Sequence, residues 1–177
     1  MSHAVNHSFF YTLLIQSPYF PIGNLNNPFS NEPSIGDTME SKKSERLAQM
    51  RAVLSKDNFV SYCGMELVDF HEGYAKITMN IRKEHLNFFG TVHGGALFSL
   101  ADTALGAAAN AYGTLSVAIA CNIQFMKAGT TGCLTAIAEE TSINHSLATY
   151  LVHIYDDDED EIATFQGMVY RKKQPLV

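Results

Sequence analysis

Apolar and polar positions begin to recur regularly at Ser41. In "SERLAQMRAVL" Leu47, Met50, Val53 and Leu54 fall at helical spacing, with Ser41 or Ser44 placed as the N-cap. "YAKITMNIR" then alternates: Ala75, Ile77, Met79 and Ile81 share one face, and Lys76, Thr78, Asn80 and Arg82 the other. That is the pattern of a half-buried strand. The preceding "GMELVDFHEG" reads as its hairpin partner, turning at Glu72-Gly73. From Gly94 to Tyr112 the pattern is helical, apolar nearly all round and rich in Gly and Ala. Such a helix belongs inside a protein, where its small residues let other backbone come close. Gly113 is placed to end it.

Four strand-like runs follow: "LSVAIACNIQFM", "GCLTAIAEETSIN", "ATYLVHIYD" and "IATFQGMVYRKK". They are joined by "KAGTTG", by a break near His145-Ser146 and by the acidic tip Asp156–Glu161, which reads as a solvated hairpin turn. Successive strands without helices between them predict an antiparallel sheet with the long helix on one face. The expected class is α+β: a curled antiparallel sheet wrapped around one central helix, with a further helix at the N-terminal side.

Residues 1–38 have a different character. They hold four of the five prolines and no Lys or Arg. Their one apolar run, Phe9 to Ile15, is too short to span a bilayer and lacks the flanks of a signal or transit peptide. They read as an irregular extension ahead of a domain covering 39–177. The whole chain of 177 residues, 46% hydrophobic and 17% charged, suits one core. A net charge of −6 argues against a nucleic-acid partner. Cys63, Cys121 and Cys133 show no paired spacing, which fits free thiols and a cytoplasmic setting. Cys121 and Cys133 lie in strand-like runs and are expected in the core. No metal-site spacing appears among the histidines.

One residue is out of place. Between Glu84 and Lys127 the only Asp, Glu, Lys or Arg is Asp102, in the middle of the apolar helix. A carboxylate there is costly to bury unless it is partnered or used. It reads either as a hydrogen-bonded structural residue or as a general base or nucleophile. The helix opens on His93, Gly94 and Gly95. Its first N–H groups lack intrahelical acceptors, and glycine lets a ligand oxygen approach them, so they form a candidate oxyanion hole. Close packing alone would also explain the glycines. Asn87 is a plausible orienting amide. Gly94 and Asp102 are eight positions apart, or roughly 12 Å along a helix. If both act on one substrate they must come from two chains, so a shared site implies a two-fold dimer.

"NFFGTVHGGALFSLADTA" resembles the Asn, His-Gly-Gly and Asp signature of hotdog-fold acyl-CoA thioesterases of the phenylacetate-pathway (PaaI-like) type, and the likeness extends over about residues 45–173. The resemblance implies hydrolysis of an acyl-CoA thioester to free acid and CoA, with no separate cofactor. It implies that Gly94 N–H polarises the carbonyl, with Gly95 beside it. Asp102 would activate water or attack directly. Asn87 would partner the carboxylate or the water, His93 would shape the helix start, and Thr103 would assist. Some relatives carry a serine on the strand after the helix. Here that strand reads Ala118, Ile119, Ala120, Cys121, Asn122, leaving Ser116 or Asn122 as substitutes. Arg82, Lys83, Lys127 and Arg171–Lys173 are candidate CoA phosphate contacts. Phe88, Phe89, Met65, Tyr112 and Met126 are candidate acyl-pocket residues. The resemblance also implies a homodimer, paired into a tetramer in relatives.

Two other classes remain open at this point. A non-catalytic acyl-CoA-binding module would not need Asp102. A hotdog hydratase would place a His and an acid together, whereas His93 and Asp102 are nine apart. The acyl group is not legible. A chain beginning at Met39 is expected to fold, assemble and turn over substrate like the full chain; a large change in its KM or acyl-chain preference would show the extension to be part of the binding site.

Overall fold

The structure is a computed structural model and describes residues 35–176. The extension up to Ser34, with its Phe9–Ile15 run, lies outside the described residues. Helix α1 (Ile35–Leu54) begins ahead of the Met39 boundary, so Ser41 and Ser44 stand inside it and do not cap it. Met50 is buried, and Leu47, Val53 and Leu54 pack against the core beside it. A six-residue helix, α2 (Asn58–Cys63), follows, which the apolar pattern is too short to announce. Its signals are at its ends. The Asp57 carboxylate accepts from the N–H groups of Phe59 and Val60, and Gly64 closes the helix at φ +67°.

The six strands are β1 (Met65–His71), β2 (Tyr74–Asn80), β3 (Thr114–Phe125), β4 (Cys133–Ile143), β5 (Leu147–Tyr155) and β6 (Glu161–Pro175). They form one antiparallel sheet in the order β1-β2-β4-β5-β6-β3. The hairpin between β1 and β2 turns at Glu72 and Gly73, the latter at φ +75°. β4, β5 and β6 form a meander. β3 comes before them in sequence but lies at the far edge beside β6.

The long helix α3 (Gly94–Asn110) crosses the inner face of this sheet. Leu100, Ala101, Ala104, Leu105 and Ala108 have no exposed surface and meet Ile77, Leu134, Ala136, Ala138, Val152, Ile154 and Phe165, which have none either. The helix is not enclosed all round as its composition suggested. Gly95, Phe98, Ser99, Asp102 and Gly106 form an uncovered or half-covered stripe, because the sheet reaches only one side. At its C-terminal end the Asn110 amide donates to Gly106 O and Ser116 O, and its oxygen accepts from Ser116 N–H. This bracket fixes where β3 leaves the helix. Gly113, at φ +71°, makes the turn.

Two cysteines differ from expectation. Cys121 is exposed, because β3 is an edge strand that leaves the cover of the helix, and Cys133 is half-buried; only Cys63 is buried. The acidic tip between β5 and β6 is more than a solvated turn. Asp156 accepts from the N–H groups of Asp158 and Asp160, and Asp157 accepts from Cys133 N–H.

Leu105 of α3 packs closely over Gly167 of β6. A Cβ there would lie 2.6 Å from Leu105 Cδ2 and 3.1 Å from a Phe165 ring atom. Both neighbours have no exposed surface, so neither has room to yield. Gly167→Ala should therefore destabilise the fold by about 1–3 kcal/mol through overpacking, read as a lowered denaturant midpoint. An unchanged midpoint would mean that the sheet can slide away from α3.

Candidate active site

The segment that delivers the start of α3 is held by its polar side chains. Lys83–His85 is a short 3-10 turn. Inside it the buried His85 accepts from Arg82 N–H through Nδ1. Burial, helped by the Arg82 guanidinium, holds His85 below the ordinary imidazole range, so the ring is neutral. The His85 carbonyl accepts from His93 N–H at 2.8 Å, tying the turn to the start of α3. Between them Asn87 closes a small loop. Its Oδ1 accepts from the N–H groups of Phe89 and Thr91, and its Nδ2 donates to Thr91 Oγ1 at 2.8 Å. Gly90 supplies the left-handed turn at φ +80°. Asn87 is thus committed to the loop and makes no hydrogen bond to Asp102.

His93 is the N-cap of α3. Its Nδ1 accepts from Gly95 N–H at 2.8 Å, which requires that nitrogen to be unprotonated. Ala96 and Leu97 donate to the His93 carbonyl. Gly95, expected beside the substrate, has therefore spent its amide on the cap. Among the described residues Gly94 N–H alone, of the first four amides of α3, has no acceptor. Its position at the positive end of the helix suits it to an oxygen that is gaining charge.

Asp102 lies on the uncovered stripe of α3, half-buried. It makes no hydrogen bond or ion pair with any described residue. Burial alone pushes its carboxyl above the usual carboxylate range. Nearby, on β3, burial and secondarily the Asp102 charge push the exposed Cys121 thiol upward as well. The Asp102 charge thus reaches Cys121 on β3 and helps to keep its thiol protonated. Ser116 does not take the place of the strand serine, since it is buried at the other end of α3 and donates to Thr114 O. Asn122 is exposed and accepts from Gln124 Nε2. Thr103 points elsewhere: its hydroxyl faces Ser99 O at 2.8 Å and Met65 Sδ at 3.3 Å, on the core side.

The cations expected at a phosphate are differently placed. The Arg82 guanidinium donates to Tyr62 O at the end of α2 and lies 3.3 Å from His85 Nε2. Lys127 is gripped by Asp160 and by Asp156, the latter at 2.9 Å, and these bonds hold its ammonium firmly charged. Arg171 donates to Asn144 O and stacks 5.4 Å from the centre of the Tyr112 ring. Lys83, Lys172 and Lys173 have no ion-pair partner among the described residues. Of the expected acyl-pocket residues only Phe88 and Phe89 lie together within this chain. Met65 is in the core, and Tyr112 donates to Glu140 at the opposite end of α3. Phe88 and Phe89 stand in solvent, 89% and 76% exposed, with ring centres 3.9 Å apart. Among the described residues no group of three or more His, Cys, Asp or Glu is arranged to hold a metal. No helix there is long and apolar enough to cross a membrane.

Comparison with known proteins shows the family. Residues 89–163 match the thioesterase superfamily. A candidate esterase of Archaeoglobus fulgidus is 38% identical over 132 residues, covering 73% of this chain and 86% of that protein. The acyl-coenzyme A thioesterase PaaI of Escherichia coli is 35% identical over 121 residues, covering 68% of this chain and 86% of PaaI. The solved structure of the E. coli PaaI protein from the phenylacetic acid degradation operon superposes with a TM-score of 0.69 at 32% identity, over 75% of this chain and 98% of that one. Such identity, on the same curled sheet around the same helix, means that this chain belongs to the hotdog-fold thioesterase superfamily, in its PaaI-like group, and is a thioester hydrolase.

Proposed function

We propose that the chain hydrolyses acyl-CoA thioesters at sites that two copies build together. The observation that carries this reading is the pairing, on one helix, of an amide without an acceptor and a carboxylate without a partner, at Gly94 and Asp102, roughly 12 Å apart. Neither group has a hydrogen-bond partner among the described residues of its own chain. Two α3 helices running antiparallel across a two-fold axis bring each Gly94 to the partner subunit's Asp102.

The two edges of the sheet support this assembly. The β1 edge is guarded. It carries Glu66 and Asp69 and an irregularity in register between Leu67 and Asp69. Arg51 also donates to Leu67 O, and Lys43 pairs with Asp69 at 3.3 Å. β3 has no charged residue, and its Ile119 and Phe125 are more than half exposed. An unguarded edge of this kind is a place for another strand. A second copy of this chain, pairing edge to edge, also covers the open stripe of α3.

In the reaction the thioester carbonyl oxygen accepts from Gly94 N–H. The partner subunit's Asp102 takes a proton from water as the water oxygen attacks the carbonyl carbon. The C–S bond then breaks, the acid is released, and CoA leaves as the thiol with the proton that Asp102 held. Burial makes Asp102 a stronger base than a solvated carboxylate, which suits proton abstraction. His93 and Asn87 act through others, as the cap and the brace of the helix start. Of the expected phosphate contacts, Lys83, Lys172 and Lys173, which have no ion-pair partner among the described residues, are left to meet CoA phosphates, and Phe88 and Phe89 are apolar surface for the acyl or pantetheine chain.

Asp102→Asn should lower thiol release from acyl-CoA by about 10²–10⁴-fold while raising the thermal midpoint at neutral pH. The sign follows from the direction of its shift. A carboxyl whose folded pKa is raised favours the fold when protonated, and that contribution is lost as pH rises through the folded value. Removing the charge therefore helps the fold and harms the chemistry. Near-normal turnover in Asp102→Asn would return the residue to a structural role.

The same shift sets a pH dependence. Wild-type kcat should fall on the acid side at a pH above the ordinary carboxylate range, and the residual rate of Asp102→Asn should lose that limb. A limb that persists in the variant would belong to another group.

Mixed dimers test the sharing of sites. A chain carrying Asp102→Asn, paired with one carrying Gly94→Pro to delete the amide donor, should recover part of the activity. One of the two sites then holds both groups. No recovery in a verified heterodimer would place both groups' action within one chain.

A further inference from the structure

We infer that Phe125 is a positioning residue of the thioesterase site, a ring that roofs the start of α3 and keeps water from the Gly94 amide. This rests on the function proposed above. A Cβ on Gly94 would lie 2.9 Å from Phe125 Cζ and 3.4 and 3.5 Å from Cε1 and Cε2. The tip of the ring thus occupies the space where a side chain would begin. Gly94 does not have a positive φ, so its backbone conformation does not demand glycine. The ring does. Gly95 has a matching reason, since a Cβ there would meet His93 Nδ1 at 3.0 Å. The two glycines are therefore cut to fit two different rings, the cap on one side and the roof on the other.

Phe125 is held from below. It ends β3, opposite Ala163 of β6. Beyond it the N–H groups of Met126 and Lys127 both donate to Ile162 O, at 2.9 and 3.2 Å. Lys127 is clamped by the acidic tip between β5 and β6. The ring itself is 56% exposed, so it is not a core residue that happens to graze the helix. The ring tip packs over the Gly94 Cα, next to an amide that has no acceptor among the described residues, and in this role it limits the access of water to that amide. The N–H then meets the developing oxyanion in a less polar medium, where the bond is stronger.

The test compares wild type, Gly94→Ala, Phe125→Ala, Phe125→Leu and the double variant Gly94→Ala/Phe125→Ala. Thermal midpoints and steady-state kinetics on acetyl-, phenylacetyl- and hexanoyl-CoA are the readouts. Gly94→Ala should lower both the midpoint and kcat, and in the Phe125→Ala background the same alanine should cost little in midpoint. Phe125→Ala should lower kcat by about tenfold with KM within about twofold, and Phe125→Leu, which keeps an apolar cover, should restore most of it. A midpoint loss in Phe125→Ala with kcat and KM unchanged would make the ring mere packing and overturn the proposal, while the thioesterase reading stands. No thiol release by wild type from any of the three would sink the thioesterase reading. In that case a surviving midpoint coupling would mark the contact as structural only, and the positioning role would fall with it.

Discussion

All six strands close on one helix, and they can do so because alanines make up much of the buried face of that helix. Ala101, Ala104 and Ala108 leave the α3 backbone within reach of the sheet, and Gly167 opens a slot for Leu105 from the other side. The sheet answers with small residues of its own at Ala75, Ala136, Ala138, Ala148 and Ala163. A sheet that curls this tightly can cover only one side of the helix. The opposite stripe is left with Gly95, Phe98, Ser99, Asp102 and Gly106, where, Phe98 apart, little stands between the backbone and whatever comes to lie there. The packing constraint and the open site are two sides of one arrangement.

The helix start shows how polar residues that suggest chemistry also build the frame for it. His85, Asn87 and His93 each satisfy backbone groups that the chain would otherwise leave unpaired as it turns into α3. Once those groups are satisfied, what remains unsatisfied is informative. Among the described residues the exception at the start of α3 is the Gly94 amide, and on its open stripe it is the Asp102 carboxylate. Three residues spend their polar atoms on architecture so that a single donor is presented without competition.

Much of this was legible from the chain. Strict alternation in "YAKITMNIR", the Glu72-Gly73 turn and four uninterrupted strand patterns specify the antiparallel sheet, because period-two patterns have one exposed and one buried face. A lone carboxylate in an apolar helix singles out Asp102 in the sequence itself. Other features depend on partners distant in sequence. That Lys127 is gripped by Asp156 and Asp160, that Arg82 caps α2, and that Phe125 lies on Gly94 all follow from strand register, which local pattern does not encode. The start of α1 was misplaced because serine is a good cap only where a helix begins, and "SKKS" reads alike inside or outside one. Cys121 was assigned to the core because its strand is apolar on both faces; the topology makes that strand an edge.

The placement of β3 beside β6 also sets an order of events for the folding chain. β3 is complete by Phe125, yet every one of its ladder bonds is to β6, and its first residue, Thr114, pairs with Pro175. Three later strands must be laid down before it has a partner. The β1–β2 hairpin and the meander of β4, β5 and β6 need only near neighbours or short loops, whereas β3 must wait for the last strand and close a long loop to reach it. While it waits it is an uncharged, apolar strand with both edges bare, which is when a nascent chain is most exposed to pairing with the wrong partner. The residues of β6 are thus what secures the strand begun just after α3, and the sheet is closed by the strand made last among those described.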